Sequence, residues 1–329
     1  MKRFWTIFLF IAGAQSVVQW PFKKLGREFG QNVVDLYVGT PSQYVQLIIA
    51  TDGTNSNLQL PDFNGVDGFY ARASTTFQKL ENTFEDLNTE SEVIGTDNFL
   101  IESNSGKEHQ IANVNFSVVN EQLGFGFLSI IRPESPTDGS FLRKIFEQEG
   151  ESVAVFVFDE TPIEKTAPYS GVLTLGGRST ECSHNWEMVD EVSSNDKSQW
   201  HFELKSISAK NFVLERPGVA SINLASPYFY LPSNVYNEVM QQLGSNENGK
   251  IPCNSPVSIV FKVGSFEFNL TSDKFTNREF EDSSGCFFLG QNSTENAIVL
   301  PYTILRNNCF LLDFNQKRVG FAERVHFLL

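Results

Sequence analysis

The chain has 329 residues, of which 41% are hydrophobic and 19% are charged, so it is large enough for one big folded domain or two medium ones. Its formal net charge is −14 at pH 7, whereas nucleic acids and anionic membranes both attract basic surfaces. The composition therefore argues against a nucleic-acid partner and against docking on a membrane.

The N-terminus has the pattern of a secretory signal peptide. Lys2 and Arg3 precede an apolar run, and the small residues Ala14 and Ser16 follow it as a cleavage site. The run is far shorter than the roughly 20 apolar residues that a membrane span needs. We therefore expect residues 1–16 to be a signal peptide and the mature protein to be secreted and extracellular.

Short β-branched and aromatic runs separated by turn residues dominate the rest of the chain. A hairpin is expected around Gly264, where two such runs are separated by a tight turn. The pattern predicts strands over residues 33–38, 45–49, 152–158, 258–263, 266–270, 309–313 and 318–322.

Two helices are predicted. One covers residues 141–148, with Ser140 as its N-cap, and the other covers residues 234–243, with Ser233 as its cap and Gly244 at its end. A polar stretch with two prolines divides the chain near residues 159–168. We expect one domain over residues 17–160 and another over residues 161–329.

Cysteines and glycosylation sequons fit a secreted protein. No Cys-x-x-Cys spacing is present, so disulfides are expected rather than a zinc site, and spacing alone leaves three pairings open. Nothing in the sequence indicates a cofactor or a metal. The cysteines are Cys182, Cys253, Cys286 and Cys309, and the sequons begin at Asn115, Asn269 and Asn292.

Four segments, in this order and spacing, resemble the pepsin-like aspartic peptidase family. They are Gly39-Thr-Pro with the strand after it, Gly171 to Gly177 with the Trp200 segment after it, residues 222–232 with the helix after them, and residues 306–322. The resemblance runs from about residue 30 to the end. It implies a mainly β, bilobal fold with two similar β-barrel-like lobes and a central cleft.

The resemblance also implies how the cysteines pair. It matches Cys253 with Cys286 as the disulfide of the C-terminal lobe, and Cys182 with Cys309 as a second bridge found in some members. Each bridge typically contributes about 2–4 kcal/mol, so the C-terminal lobe is expected to be firmly held.

Family members cut peptides with two facing aspartates, one from each lobe, each in an Asp-Thr-Gly turn. The two carboxyls share one proton, so that one acts as a base on water while the other polarises the scissile carbonyl. In the second motif of this chain the matching residues are Asn223, Leu224 and Ala225. An amide has no usable basicity, so the resemblance implies that the second aspartate is lost.

The first motif allows two alignments. Counting forward from Pro41 puts Ala50 in the aspartate position and Thr51 in the threonine position, which keeps the strand over residues 45–49 in register. Counting back from residues 56–58 instead puts Asp52 there, with the last two members of the motif exchanged. We favour Ala50, with Asp52 in an enlarged loop.

Two further segments depart from active family members. The segment that matches the substrate-covering hairpin, residues 81–92, has neither Tyr nor Gly and carries five acidic residues. Residues 17–30 are shorter than the inhibitory prosegment that active members carry before the first lobe. Both departures fit a protein that does not cut peptides.

These observations favour a secreted, catalytically inactive member of the family that binds a peptide or protein in the inherited cleft. One alternative is a weak aspartic endopeptidase that uses Asp52. Another is a structural or storage glycoprotein without a specific ligand. A serine hydrolase is disfavoured, because none of the four histidines lies in a nucleophile motif.

Overall fold

The computed structural model describes residues 17–25, 30–51, 58–61, 69–80, 93–103, 106–119, 126–130, 140–159, 169–192, 199–282, 285–293 and 298–325. Four features predicted from the sequence lie outside these residues: the signal peptide over residues 1–16, Asp52, the acidic segment over residues 81–92 and the domain boundary at residues 160/161.

The described residues are mainly β, as predicted. The strands, in chain order, are β1 Val18–Leu25, β2 Gln31–Val38, β3 Gln43–Ala50, β4 Leu58–Pro61, β5 Gln78–Lys79, β6 Val93–Glu102, β7 Glu108–Val119, β8 Gly126–Ser129, β9 Val153–Phe158, β10 Gly171–Leu175, β11 Glu187–Asp190, β12 His201–Ala209, β13 Phe212–Asn223, β14 Phe229–Pro232, β15 Lys250–Ile251, β16 Ile259–Val263, β17 Phe266–Leu270, β18 Thr276–Asp282, β19 Gly285–Phe288, β20 Gly290–Ser293, β21 Ile298–Pro301, β22 Asn308–Asp313 and β23 Arg318–Glu323.

Both predicted helices form, as α1 (Phe141–Glu149) and α2 (Ser233–Leu243). The predicted cap of α2 is wrong, because the N-cap is Pro232 and Ser233 is already helical. The Ser233 hydroxyl instead donates to Asn292 Oδ1 at 2.7 Å. A third helix, α3 (Ser272–Phe275), is a single turn that the sequence analysis did not predict.

The first sheet has 13 strands, in the order β11-β23-β22-β9-β10-β1-β2-β3-β8-β4-β7-β6-β5. It joins distant parts of the chain, because β1 pairs with β10 and β9 pairs with β22. Strands on either side of the expected domain boundary, β9 and β10, are antiparallel neighbours within it. Residues 18–25, for which the sequence pattern did not predict a strand, form an inner strand between β10 and β2.

The second sheet has seven strands, in the order β17-β16-β12-β13-β21-β14-β20, all drawn from residues 201–301. A small third sheet, β15-β19-β18, lies in the same part of the chain. The hairpin predicted around Gly264 is β16-β17, and the glycine has a φ of +56°, a region that side chains with a Cβ rarely adopt. All strands of the second and third sheets thus lie within residues 201–301.

The core is rich in aromatic side chains, as 31 phenylalanines would suggest. Alternate residues of β1, Val18, Trp20 and Phe22, are buried in it. A separate small cluster surrounds the disulfide Cys182–Cys309, here called the long-loop disulfide. The second bridge, the short-loop disulfide, joins Cys253 to Cys286. Both pairings implied by the resemblance are therefore present.

Candidate functional site

Two strands, β3 and β13, each end beside a parallel partner strand. β3 ends at Ala50 and runs parallel to β8, with Ala50 opposite Ser129. β13 ends at Asn223 and runs parallel to β21, with Asn223 opposite Pro301. The two residues that the resemblance singles out therefore occupy equivalent ends of two similar strand pairs.

The Thr51 side chain joins these two strand ends. Its hydroxyl donates a hydrogen bond to the Ile222 carbonyl and accepts one from the Leu224 backbone N–H at 3.2 Å. Thr51 is only 2% exposed, so both bonds are shielded from water. Because Ala50 precedes Thr51 and Asn223 lies between the two bonded residues, both candidate positions lie at one interface.

This bracing comes mostly from the N-terminal side. Leu224 has no hydroxyl with which to reciprocate, and its own carbonyl accepts a hydrogen bond from Asn32 Nδ2 at 3.0 Å. Asn32 lies on β2 and is 1% exposed. Three polar contacts thus hold residues 222–224 against β2 and the end of β3.

Tyr302 directly follows β21 and connects it to two other segments near the strand ends. Its hydroxyl donates to the Gly30 carbonyl at 3.0 Å, and its backbone N–H donates to the Ser226 carbonyl at 3.4 Å. Burial raises the pKa of the Tyr302 hydroxyl, so the phenol stays neutral. Tyr302 therefore acts as a neutral hydrogen-bond donor between segments far apart in sequence.

Neither candidate position carries an ionisable group. Ala50 is 3% exposed and has no polar side-chain atom. The Asn223 side chain is partly buried, and its Oδ1 accepts a hydrogen bond from the Ala225 N–H at 2.8 Å. A methyl group and an amide can bind neighbours, but neither can exchange a proton with a water molecule.

Asp52, the other candidate for the first aspartate position, lies outside the described residues, as does the acidic segment over residues 81–92. No group of three or more His, Cys, Asp or Glu side chains that could hold a metal ion occurs among the residues that the structure describes. None of the helices in this described part is long and apolar enough to cross a membrane.

Lys23 of β1 forms an ion pair with Asp35 of β2. Lys23 Nζ lies 2.9 Å from the Asp35 carboxylate, which also accepts hydrogen bonds from Tyr44 at 2.7 Å and Gln46 at 3.0 Å. Burial disfavours the charged form of Asp35, but these three hydrogen bonds together hold the pKa of its carboxyl below the usual value. Lys23 is thus fixed beside β2.

The three sequon asparagines occupy different surroundings. Asn269 on β17 and Asn292 on β20 are exposed, whereas Asn115 on β7 is partly buried. The resemblance places Thr51 in the threonine position of the first motif, but the braces at Asn32 and Tyr302 were not predicted. Their partners are 192 and 272 positions away, and no local pattern marks such contacts.

Comparison with known proteins gives two matches. Residues 31–324 match the family model described as Eukaryotic aspartyl protease. A curated relative, Aspartic protease 2 of Necator americanus, is 23% identical over 176 residues, which are 52% of this chain and 41% of that protein. The match thus spans less than half the length of the relative.

The family match includes β2, β3 and β13, whose residues meet at the strand ends described above, and the C-terminal hairpin β22-β23. The bilobal, mainly β, pepsin-like fold implied by the resemblance is thereby confirmed. The chain belongs to the eukaryotic aspartyl protease family.

Proposed function

We propose that this chain is a secreted pseudoenzyme of the aspartyl protease family that binds a peptide or protein in the cleft between its lobes and does not cut it. The observation that carries this proposal is the pair of hydrogen bonds in which the Thr51 hydroxyl donates to the Ile222 carbonyl and accepts from the Leu224 N–H. They support Ala50, the neighbour of Thr51, as the residue in the first aspartate position, opposite Asn223.

We expect no cleavage because neither of these two positions carries a carboxyl group. Peptide hydrolysis by this family requires a carboxylate that takes a proton from water and a carboxylic acid that polarises the carbonyl. Ala50 and Asn223 supply neither group. Loss of a positioned acid or base typically slows a reaction by roughly 10² to 10⁴-fold, and here both are replaced.

Retained binding is supported by what the substitutions leave in place. The strands that end at Ala50 and Asn223 are complete, and three buried polar contacts brace residues 222–224. We therefore expect the cleft to persist as a binding surface.

The first test is proteolysis. The mature protein, produced by secretion, is incubated with denatured protein substrates from acid to neutral pH, with and without a transition-state-mimic inhibitor of aspartic proteases. We expect no cleavage that the inhibitor abolishes. Inhibitor-sensitive cleavage that Asp52→Ala removes would establish the weak endopeptidase instead.

The second test separates the two alignments of the first motif. If Ala50 faces Asn223, N223D alone leaves a single acid, and only A50D with N223D creates a facing pair. If Asp52 faces Asn223, N223D alone completes the pair. Binding of the transition-state mimic, measured by calorimetry for the wild type, N223D and A50D/N223D, reports which combination forms a dyad. Tight binding by N223D alone would refute the Ala50 assignment.

The third test concerns the ligand. Immobilised mature protein is incubated with a random peptide library, and the selected sequences are compared with those selected by heat-denatured protein. Enrichment that a bulky change at the partly buried Asn223, N223W, removes while the fold is kept would support binding there. No enrichment above the denatured control would favour a structural or storage glycoprotein.

A further inference from the structure

The two open edges of the second sheet each carry a glycosylation sequon. Within the described part of the chain, β17 pairs only with β16, and β20 pairs only with β14, so these strands are the two outermost members. Asn269 lies on β17 and Asn292 lies on β20. Two of the three sequons therefore fall on opposite borders of one sheet.

The sequon on β17 presents both of its polar residues to solvent. Side chains alternate along a strand, so Asn269 and Thr271 point to one face while Leu270 points to the other. Leu270 is 1% exposed, whereas Asn269 and Thr271 are both exposed. The acceptor amide and the hydroxyl that completes the sequon are thus accessible together in the folded protein.

The sequon on β20 also leaves its acceptor amide accessible. Asn292 is exposed, and its Oδ1 accepts a hydrogen bond from the Ser233 hydroxyl at 2.7 Å. This contact uses the oxygen of the amide. A sugar is attached through the nitrogen, so the bond to Ser233 orients the amide without occupying the atom that reacts.

The third sequon has the opposite geometry. Asn115 lies on β7, an inner strand that pairs with both β4 and β6, and it sits opposite Thr96. Its side chain is partly buried, and Ser117, which completes the sequon, is 2% exposed. Thr96, directly opposite Asn115, is 8% exposed, so this face of the sheet is covered, and a glycan on Asn115 would displace what covers it.

Edge strands need protection because their outer backbone N–H and C=O groups can pair with another chain. Lysine and proline are common protecting residues on such strands. The sequence of β17 is FEFNL and that of β20 is GQNS, and neither contains lysine or proline. Glu267 is the one charged residue on these two strands, and a bulky hydrophilic glycan on each strand would add to this protection.

We propose that N-linked glycans on Asn269 and Asn292 shield the two edges of the second sheet from pairing with other chains, and that Asn115 carries no glycan in the folded protein. The inference requires passage through the secretory pathway. It holds whether or not the cleft binds or cuts peptides.

The covalent step uses an oligosaccharide activated as a lipid diphosphate. The side-chain nitrogen of asparagine attacks C1 of the first sugar, and an N–C bond forms as the C1–O bond to the diphosphate breaks. The lipid diphosphate leaves with the electron pair, and the amide gives up one proton. No oxidant or reductant is involved.

Site occupancy is the first measurement. The full chain is secreted from a eukaryotic host, and glycopeptides are analysed by mass spectrometry before and after enzymatic removal of N-glycans. We expect sugar on Asn269 and Asn292 and none on Asn115 in the monomeric fraction. Glycan on Asn115 of folded monomer, or unmodified Asn269 and Asn292, would overturn the proposal.

Self-association is the second measurement. Size-exclusion chromatography and thioflavin fluorescence compare the wild type with N269Q/N292Q, with T271A and with two controls, T271S, which preserves the sequon, and N115Q. We expect the oligomeric fraction to rise severalfold in the double variant and to rise in T271A, while both controls match the wild type. If the double variant is not secreted, endoglycosidase treatment of folded wild-type protein replaces it. A stripped protein that stays as monomeric as the untreated one would refute the shielding role.

Discussion

Replacing Thr51 by valine removes the hydroxyl that joins the two central strand ends without changing the size of the side chain. The Ile222 carbonyl loses a donor and the Leu224 N–H loses an acceptor. Ile222 is 4% exposed and Leu224 is 0% exposed, so water cannot replace the lost partner. We therefore expect T51V to destabilise the folded protein well beyond the effect of an ordinary surface change.

The size of the effect follows from the two backbone groups left without Thr51. An unsatisfied buried donor or acceptor costs about 1–3 kcal/mol, so the two together lower the free energy of unfolding by about 2–6 kcal/mol. The matched control is T51S, which retains the hydroxyl and loses only a methyl group, worth about 1 kcal/mol. The order wild type, T51S, T51V is therefore the expected ranking of stability.

Equilibrium urea unfolding, followed by tryptophan fluorescence, measures this ranking. The midpoints are compared at equal slope, because a change of slope would report a change in compactness rather than in stability. If T51V unfolds at the same urea concentration as T51S, the hydroxyl does not brace the junction. The support that these bonds give to Ala50 as the residue facing Asn223 would then be lost.

Three further changes test other contacts. Tyr302→Phe removes the donor to the Gly30 carbonyl and should lower the free energy of unfolding by about 1 kcal/mol in the same urea experiment; an unchanged midpoint would contradict this. Replacing Cys182 and Cys309 by alanine opens a loop of 127 residues and should lower the free energy of unfolding by up to about 5 kcal/mol. Removing the short-loop disulfide, with its separation of 33 residues, should lower it by about 4 kcal/mol. If the variant without the short-loop disulfide had the lower thermal midpoint, chain entropy would not explain the two effects. Burial lowers the pKa of His109 in the folded protein, so on acidification the unfolded chain binds a proton first, and the free energy of unfolding falls as the pH drops below about 6.5. His109→Gln should flatten this part of the curve of stability against pH. An unaltered slope would show that another group is responsible.

Much of the strand pattern could be predicted from local sequence. The run over residues 45–49 became β3, Gln43–Ala50, because β-branched and apolar side chains suit a buried strand. The cap of α2 could not be predicted, because the Ser233 hydroxyl bonds to Asn292, which is 59 positions away. A capping rule considers only neighbours in sequence and cannot weigh a competing tertiary partner.

Strand β1 shows a signal that was present but not used. Val18, Trp20 and Phe22 alternate with less buried residues, which is the two-residue period of a half-buried strand. The comparison of residues 17–30 with a prosegment considered only their length and did not use this period. An inner strand was missed because its partners, β2 and β10, lie on both sides of it in the fold but only one is near it in sequence.

The residues of the candidate site could be predicted from the sequence, but the contacts between them could not. The sequence places Asn223 in the second motif through the resemblance, and it offers Ala50 and Asp52 for the first. What connects the two motifs, the hydroxyl of Thr51, depends on a contact across 171 residues. Such contacts arise from how the sheets meet, which no periodicity in the chain encodes.

The position of β9 between β10 and β22 has a consequence for how the protein is made. On the ribosome, β9 emerges long before β22, so one side of it lacks a neighbour until the hairpin β22-β23 has been synthesised. Closing so long a loop is slow, because chain entropy is lost before the new contacts form. We expect the nascent chain to depend on chaperones during this interval, since an unpaired strand invites aggregation. Maturation of the whole molecule is thereby tied to completion of its C-terminal hairpin.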